Sequence, residues 1–259
     1  MTSNRTWPLF RLSTTGILVR GSCWLLLLLG VLFAWLAPLL TPWEEKPVIL
    51  QPARAQAAWS FAWLALFTWL PFQAAALGHR IRKQGMLEHL QAAGQHRYNL
   101  CLQLNASIFV WVAAVAILAM IVCLGFCMPK SEADARDWSV LVLQYSTLYL
   151  LAAIPLVVLA VTLGTRTHEI IAFMVPVALL FLGLFGGIWL GPFLAQDDSL
   201  IGTLLWVVMP HYHLADLTPR LVFKMGPLPT ADFFRTAGVL ALEGAVFTLL
   251  GLCAFRTRS

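Results

Sequence analysis

Long apolar runs alternate with short polar segments along the whole chain. An uncharged run of about 20 residues forms a helix of about 30 Å, which matches the hydrocarbon core of a bilayer. The runs predict six membrane-spanning helices, at residues 21–40, 57–77, 104–128, 138–163, 170–194 and 233–255. The first run exceeds the roughly 7–15 apolar residues of a cleaved signal peptide, so we expect it to be retained. The predicted fold is an all-α polytopic membrane protein with one membrane domain over residues 1–259.

The composition agrees with a lipid environment. Hydrophobic residues make up 60% of the 259 residues, charged residues only 11%, and the mean hydropathy is +0.80. A soluble protein needs more charged side chains on its surface. The basic residues behind the net charge of +5 lie in short segments between the apolar runs, so we expect membrane lipid and no nucleic acid as a partner. The five cysteines form no C-x-x-C pair, which argues against a zinc site or a disulfide framework.

The polar segments differ in their charge. Of the 17 Lys and Arg residues, ten lie in four segments and seven in the rest of the chain. The four are the N-terminal segment, the segments after the second and fourth predicted spans, and the C-terminal segment. A basic excess marks the cytoplasmic side of a membrane, so we expect both termini in the cytoplasm. The polar residues 41–56, between the first two spans, are then expected to form an external loop.

The most basic of these segments covers residues 78–98. Its apolar positions recur at helical spacing, which predicts a short cytoplasmic amphipathic helix between the second and third spans. A soluble partner could push on such a helix, whereas the alternative is a basic loop that only fixes orientation. The residues expected to contact the partner are Arg80, Arg82, Lys83, Met86, Leu87 and Leu90.

Three glycines recur at intervals of four in the fifth predicted span: Gly183, Gly187 and Gly191. Glycines on one face of a membrane helix let a second helix approach closely. The pattern favours a contact that serves the assembly of two protomers. The alternative is a packing groove within one chain.

A ten-residue apolar run at 200–209 precedes the sixth span and is too short to cross a membrane. It predicts a re-entrant or interfacial helix. Prolines and charged residues surround this run, at positions 195–232, which separates it from the neighbouring spans.

Two groups of polar side chains suggest other functions. Glu243 is an acid well inside a predicted span, where a carboxylate is costly, so it could serve a proton-coupled carrier or be a neutral group bonded within the bundle. His211, His213 and Asp216 form an H-x-H-x-x-D group, which is a weak candidate for a metal site and could serve an integral membrane enzyme. Because no further ligand stands nearby in the sequence, we expect these side chains to be hydrogen-bonded structure instead, with no metal.

Sequence motifs for nucleotide binding and hydrolysis are missing. The chain contains no G-x-x-x-x-G-K-[ST], no G-x-S-x-G and no H-E-x-x-H. We therefore expect no enzyme activity, no catalytic residue and no cofactor in this chain.

The six spans, the basic amphipathic segment and the broken apolar hairpin together resemble the membrane subunit of type-2 ABC transporters, mostly exporters. Residues 78–90 resemble the family's loop after the second span, which holds its coupling helix. Residues 209–216 and 226–229 resemble its outer segment before the last span, and residues 255–258 its short basic tail. The acidic G-E-x-x-G-T signature common after the second span is absent, which leaves the subfamily and the substrate open.

The resemblance implies a multi-pass permease of an ATP-driven exporter in a bacterial cytoplasmic membrane. Two permease subunits, identical or homologous, would pair with two separate ATPase subunits that bind ATP and Mg²⁺. Closure of the ATPases would move the coupling helix near residues 80–94 and rock the spans between inward and outward states. The substrate site would lie between the protomers, lined by spans two and five.

Overall fold

The computed structural model describes residues 7–40, 47–196, 206 and 209–255. In this part of the chain every regular element is helical. The α-helices are α1 (Pro8–Val19), α2 (Ser22–Leu40), α3 (Pro47–Phe67), α4 (Trp69–Lys83), α5 (Met86–Ala92), α6 (Arg97–Phe126), α7 (Glu132–Gly164), α8 (Glu169–Gln196), α9 (Thr218–Val222) and α10 (Thr230–Ala254), and a 3₁₀ turn covers Tyr212–Ala215.

Five helical segments in the described residues are long and apolar enough to cross a membrane: Pro52–Lys83, Arg97–Phe126, Glu132–Gly164, Glu169–Ile188 and Thr230–Ala254. α1 and α2 meet at a bend of 60° and give a sixth span if they are counted together. The predicted all-α polytopic fold is therefore confirmed. We refer to the end of the bundle that carries α5 as the α5 end, and to the opposite end as the outer end; which end faces the cytoplasm stays a prediction.

The second span begins earlier than the apolar pattern predicts. α3 starts at Pro47, so the prediction of an external loop is wrong for residues 47–56, whereas residues 41–46 lie outside the described part. A helix that leaves the hydrocarbon core no longer needs apolar side chains, and this one is held by the buried Ala55 and Ala58. Pro71 has no backbone N–H to continue the helical hydrogen bonds, and the break between α3 and α4 at Thr68 lies one turn before it.

Two further predictions fall outside the described residues. The short helix predicted at 200–209 is described only at Trp206 and Met209. The basic tail is described only up to Phe255. Both stay predictions.

The N-terminal segment forms a helix that its basic pattern did not indicate. α1 buries Leu9, Ser13 and Ile17, which are four residues apart and therefore lie on one face, and it packs against α6. The side chain of the buried Gln103 on α6 accepts hydrogen bonds from the backbone N–H of Leu9, at 2.9 Å, and of Phe10, at 3.3 Å. One glutamine thus satisfies two donors at the start of α1 that have no partner within the helix.

α7 is the central helix of the bundle and contacts α4, α6, α8 and α10. Its buried Tyr145 stacks on Trp59 with ring centroids 3.9 Å apart, and Tyr149 meets Trp63 edge to face at 5.3 Å. Offset and edge-to-face aromatic pairs are favoured geometries in a core. These pairs join α7 to α3 over the outer half of the bundle.

α4 and α7 cross at their closest point through two glycines. A Cβ atom added to Gly78 would lie 2.6 Å from the carbonyl oxygen of Val161, and one added to Gly164 would lie 2.5 Å from that of Ala75. Only glycine allows two helix backbones to approach this closely. The crossing lies next to the end of α4, so α4 and α7 are held together where the chain turns into α5.

Candidate functional site

α5 begins after a sharp turn and has one side against the bundle. Gly85 makes this turn with φ +64, a left-handed conformation that glycine adopts without strain. Leu87 is fully buried, and Met86 and Leu90 are partly buried against the core. The exposed residues of the helix are Glu88, His89, Gln91 and Ala92. A short amphipathic helix therefore lies at the predicted position. Of its three apolar residues predicted to contact a partner, Leu87 faces the bundle, and contact with a partner through this helix stays a prediction.

The three basic residues predicted beside α5 have different surroundings. Arg82 donates a hydrogen bond from Nη1 to the backbone oxygen of Thr165, at 3.1 Å. Arg80 is partly buried and lies within electrostatic range of Glu169 at the start of α8. Lys83 is exposed. Arg82 therefore anchors the end of α4 to the turn after α7, and Lys83 is the cation of the three that a partner reaches most easily.

A basic cleft of about 710 Å³ opens beside α5. Its lining residues come from the end of α4 and from the turn after α7: His79, Arg82, Lys83, Gln84, Gly85 and His168. His79 lies 3.3 Å from the backbone oxygen of Thr167, and its ring centroid is 5.5 Å from that of His168. The end of one helix and a distant turn thus form one surface with basic side chains, which suits an acidic side chain or another anion.

A polar cluster around the buried Tyr145 occupies the outer half of the bundle. We call Trp63, Tyr145, Asp216 and Thr218 the outer cluster. The Tyr145 hydroxyl donates to Oδ1 of Asp216 at 2.5 Å and accepts from Nε1 of Trp63 at 2.8 Å. The Thr218 hydroxyl lies 2.7 Å from the Tyr145 hydroxyl, and the Thr218 backbone N–H donates to Oδ1 of Asp216 at 3.0 Å. The cluster joins three parts of the chain, because its residues come from α3, α7 and the segment before α10.

A second pair of hydrogen bonds fixes the same segment. Gln144 on α7 donates from Nε2 to the backbone oxygen of Leu228 at 3.0 Å and accepts from its N–H at 2.8 Å. With both backbone groups of Leu228 satisfied, residues 226–229 are held on α7 without being part of a helix.

The structure does not gather His211, His213 and Asp216 into one site. Asp216 is bonded to Tyr145, whereas His213 lies 3.3 Å from the backbone oxygen of Gly183. The two histidine ring centroids are 5.7 Å apart, and burial together with the neighbouring His213 lowers the pKa of His211. In the described residues, no group of three or more His, Cys, Asp or Glu side chains is placed to hold a metal ion.

The glycine ridge of α8 faces the same chain. A Cβ atom on Gly183 would lie 2.4 Å from the Tyr212 ring, and one on Gly187 would lie 3.7 Å from the Trp206 ring. Gly191 lies where only the backbone of α8 is described. Gly183 and Gly187 therefore form a packing groove within one chain, which was one of the two alternatives. A contact with a second protomer through these glycines stays a prediction.

Glu243 on α10 faces the segment before that helix. It interacts electrostatically with the buried Tyr212, although the Tyr212 hydroxyl and Oε1 of Glu243 make no hydrogen bond of normal geometry. Burial, and then Glu243, raise the pKa of the Tyr212 hydroxyl. Glu243 therefore has a polar neighbour within its own chain, and that neighbour is a phenol that does not supply a positive charge.

The sequence reasoning missed Tyr145, which has more polar partners than any residue predicted as a site. A signal was present, because Gln144, Tyr145, Ser146 and Thr147 are four consecutive polar residues inside a predicted span. Polar side chains at membrane depth need partners within the protein. The partner itself, 71 positions further along the chain, could not be identified from this signal.

Comparison with known proteins identifies the larger part of this bundle. The family model described as ABC-2 family transporter protein matches residues 97–253, more than half of the 259-residue chain. The match starts at the first residue of α6 and ends within α10, so it covers α6 to α10 but not α5. No curated protein matches the chain.

Proposed function

Because the chain belongs to the ABC-2 family of transporter proteins, we propose that it is the membrane-spanning permease of an exporter that is driven by a separate ATPase subunit. The family match is the observation that carries this proposal. We place the exporter in the cytoplasmic membrane of a bacterium, with both termini inside. A second permease, identical or homologous, completes the transporter, and the substrate passes between the two along spans two and five.

The proposed docking surface for the ATPase consists of the exposed side of α5 and the basic cleft beside it. Three features support this choice. Lys83 and His89 are exposed, Leu87 anchors the helix to the bundle, and the family-matched bundle begins only five residues after α5 ends. A rigid, exposed and charged element is well suited to specific docking.

The connections of α5 support its role in coupling. α4 leads into α5, and α4 is joined to α7 by the Gly78–Gly164 crossing and by the hydrogen bond from Arg82 to Thr165. Because α7 contacts four other helices, a displacement of α5 moves the centre of the bundle. The ATPase subunits bind ATP and Mg²⁺, and their closure drives the change of the permease between inward-facing and outward-facing states.

The experiment is co-purification of the full chain with its ATPase. The affinity-tagged permease is expressed in its native host and solubilised in mild detergent, and its partners are identified by mass spectrometry. We expect a subunit with a nucleotide-binding motif to co-purify with the wild-type chain. The doubly charge-reversed variant Lys83→Glu/His89→Glu should lose most of it.

The matched control is Lys130→Glu, which reverses an exposed lysine in the loop before α7, at the outer end. It should keep the partner at the wild-type level. Equal retention by both variants would refute docking at α5, and the absence of any ATPase from the wild-type complex would refute the proposed function itself.

A further inference from the structure

A groove on the flank of the bundle, between α6, α7 and α10, has a volume of about 560 Å³. Its polar lining residues are Tyr98, Asn99 and Asn105 on α6 and Thr248 on α10, and the rest of its wall is formed by side chains such as Phe109 and Val157. Three of the four polar residues lie within the first nine residues of α6, at the α5 end. The groove therefore has one polar end and one apolar end, which is the shape of a site for an amphiphile.

The length of α6 places these two ends at different depths in a bilayer. Its 30 residues give a helix of about 45 Å, whereas the hydrocarbon core is about 30 Å thick. The apolar sequence of α6 starts only near residue 104, so Tyr98 and Asn99 lie at the depth of lipid headgroups. Phe109 and Val157 lie at the depth of acyl chains.

A fixed positive charge lies at the polar end. The guanidinium carbon of Arg97 is 4.6 Å from the centroid of the Tyr98 ring, and its Nη2 donates a hydrogen bond to the Tyr98 hydroxyl at 2.6 Å. Because Tyr98 lines the groove, this stacking holds the charge at its mouth. The N-terminus of α6 adds a partial positive charge at the same place. An anionic headgroup is therefore favoured over a neutral one.

An unused hydrogen-bond acceptor lies further along the groove. Asn105 donates from Nδ2 to the backbone oxygen of Cys101 at 2.9 Å, but its buried Oδ1 has no hydrogen-bond partner. Buried polar atoms normally have one. This oxygen has almost no accessible surface and lies about 10 Å further along α6 than Tyr98, so Asn105 lies at the depth of the acyl chains and the headgroup preference comes from the charge of Arg97.

We propose that this groove binds one phosphatidylglycerol-type phospholipid. The phosphate lies beside Arg97 and Tyr98, the rest of the headgroup lies on its aqueous side, and one acyl chain lies along Asn105, Phe109 and Val157. The site is formed by α6, α7 and α10 and is separate from the proposed substrate path along spans two and five. The lipid is therefore a bound component of the permease and not its cargo. That distinction rests on the proposed function, whereas the binding itself rests only on the groove.

Native mass spectrometry tests the proposal on the full chain. The purified protein is incubated with equal amounts of phosphatidylglycerol and phosphatidylcholine that carry identical acyl chains. We expect one phosphatidylglycerol per chain to be retained at least fivefold over phosphatidylcholine. Arg97→Gln should reduce this preference to less than twofold, and Ala106→Phe, which fills the groove, should abolish retention of both lipids.

Matched variants control for charge and for bulk. Arg235→Gln removes an exposed cation near the start of α10, at the opposite end of the bundle, and Ala245→Phe adds the same bulk at an exposed position of α10 that does not line the groove. Both should retain the lipid as the wild type does. Should Ala106→Phe fail to fold, Tyr98→Ala gives an independent test, because it removes the ring that holds Arg97 at the groove and should lower retention of phosphatidylglycerol about threefold and leave phosphatidylcholine unchanged.

Four results would overturn the proposal. The first is equal retention of both lipids by the wild type, and the second is retention that Ala106→Phe or Tyr98→Ala leaves unchanged. The third is displacement of the lipid by a second copy of the chain, seen as a lipid-free dimer that Ala106→Phe dissociates. Loss of all bound phosphatidylglycerol in the presence of inorganic phosphate alone would show that the site binds only an anion, and it would equally contradict a lipid site.

Discussion

The two ends of the bundle hold their polar side chains in opposite ways. In the outer half, Tyr145 is completely buried, and its hydroxyl is shared among Trp63, Asp216 and Thr218. At the α5 end, Lys83 is exposed, and Arg82 reaches only a backbone oxygen. The polar partners of the Tyr145 hydroxyl all lie within the chain, whereas the surface at the α5 end exposes a charge.

This contrast indicates what each region can do. A buried polar cluster whose hydrogen bonds are satisfied within the chain fixes one arrangement of α3, α7 and the segment before α10. Exposed charges add little to stability but favour and orient an approaching partner. We therefore expect substitutions in the outer half to change stability, and substitutions at the α5 end to change binding and coupling.

The largest expected effect is at the helix crossing that connects the two regions. Gly164→Ala places a methyl group against the backbone of α4 and should lower the free energy of unfolding by about 3 kcal/mol, because neither backbone can move aside freely. The measurement is thermal unfolding of the purified protein in detergent. Gly125→Ala is the control, since a Cβ there meets nothing within 4 Å. Equal unfolding temperatures for the two variants would contradict the tight crossing.

A smaller loss of stability is expected from the outer cluster. Tyr145→Phe keeps the stacking on Trp59 but removes the hydroxyl that bonds Asp216, which should cost about 2 kcal/mol. Tyr149→Phe is matched to it, because Tyr149 is equally buried on the same helix but makes one hydrogen bond, to the backbone oxygen of Ala62. It should cost about 1 kcal/mol. If Tyr149→Phe proved the more damaging variant in the same unfolding assay, the outer cluster would not be the main polar anchor.

Coupling should be lost at α5 with little loss of stability. Leu90→Glu changes a partly buried residue at the edge of the proposed docking surface and should reduce stimulation of the partner's ATP hydrolysis about tenfold, while stability falls by about 1 kcal/mol or less. The measurement is ATP hydrolysis by the reconstituted complex. Met225→Glu places the same charge at an exposed apolar residue of the outer end and should leave hydrolysis unchanged. Unchanged stimulation in Leu90→Glu would argue against α5 as the coupling element.

The smallest effect is expected at Glu243. Glutamine keeps the shape and the polarity of the side chain, and Glu243 makes no hydrogen bond of normal geometry to Tyr212 that would be lost, so Glu243→Gln should change stability by about 0.5 kcal/mol or less. Hydrolysis by the reconstituted complex should also be unchanged, at pH 6 as at pH 8. A loss of activity that follows the proton gradient would instead favour a proton-coupled carrier built around this carboxyl group.

The helices were predictable from the sequence because lipid imposes a simple rule on them. Each span needs a long apolar run, and the runs at 104–128 and 138–163 lie almost entirely within α6 and α7. Helix ends followed no such rule. α3 continues through polar residues back to Pro47, and α1 packs on α6 although it is only 12 residues long.

The contacts between distant segments could not be predicted. Nothing in the sequence around Gly78 and Gly164 indicates that they contact each other's helices. Only the packing of α4 on α7 gives them a shared role. Gly183 was recognised as part of a close contact, but its partner, the Tyr212 ring, depends on how the segment before α10 folds back. For α5, the spacing of Met86, Leu87 and Leu90 indicated the helix but not which of them would be buried.

Site-specific photo-crosslinking tests the central claim most directly, namely that a separate ATPase works this permease through α5. A photoreactive amino acid replaces Gln91, an exposed residue of α5, or Lys130, an exposed residue of the outer end, in the full chain in its native membrane. We predict that illumination crosslinks position 91, and not position 130, to a subunit with a nucleotide-binding motif. Capture of that subunit from position 130, or from neither position while the intact complex hydrolyses ATP, would contradict it.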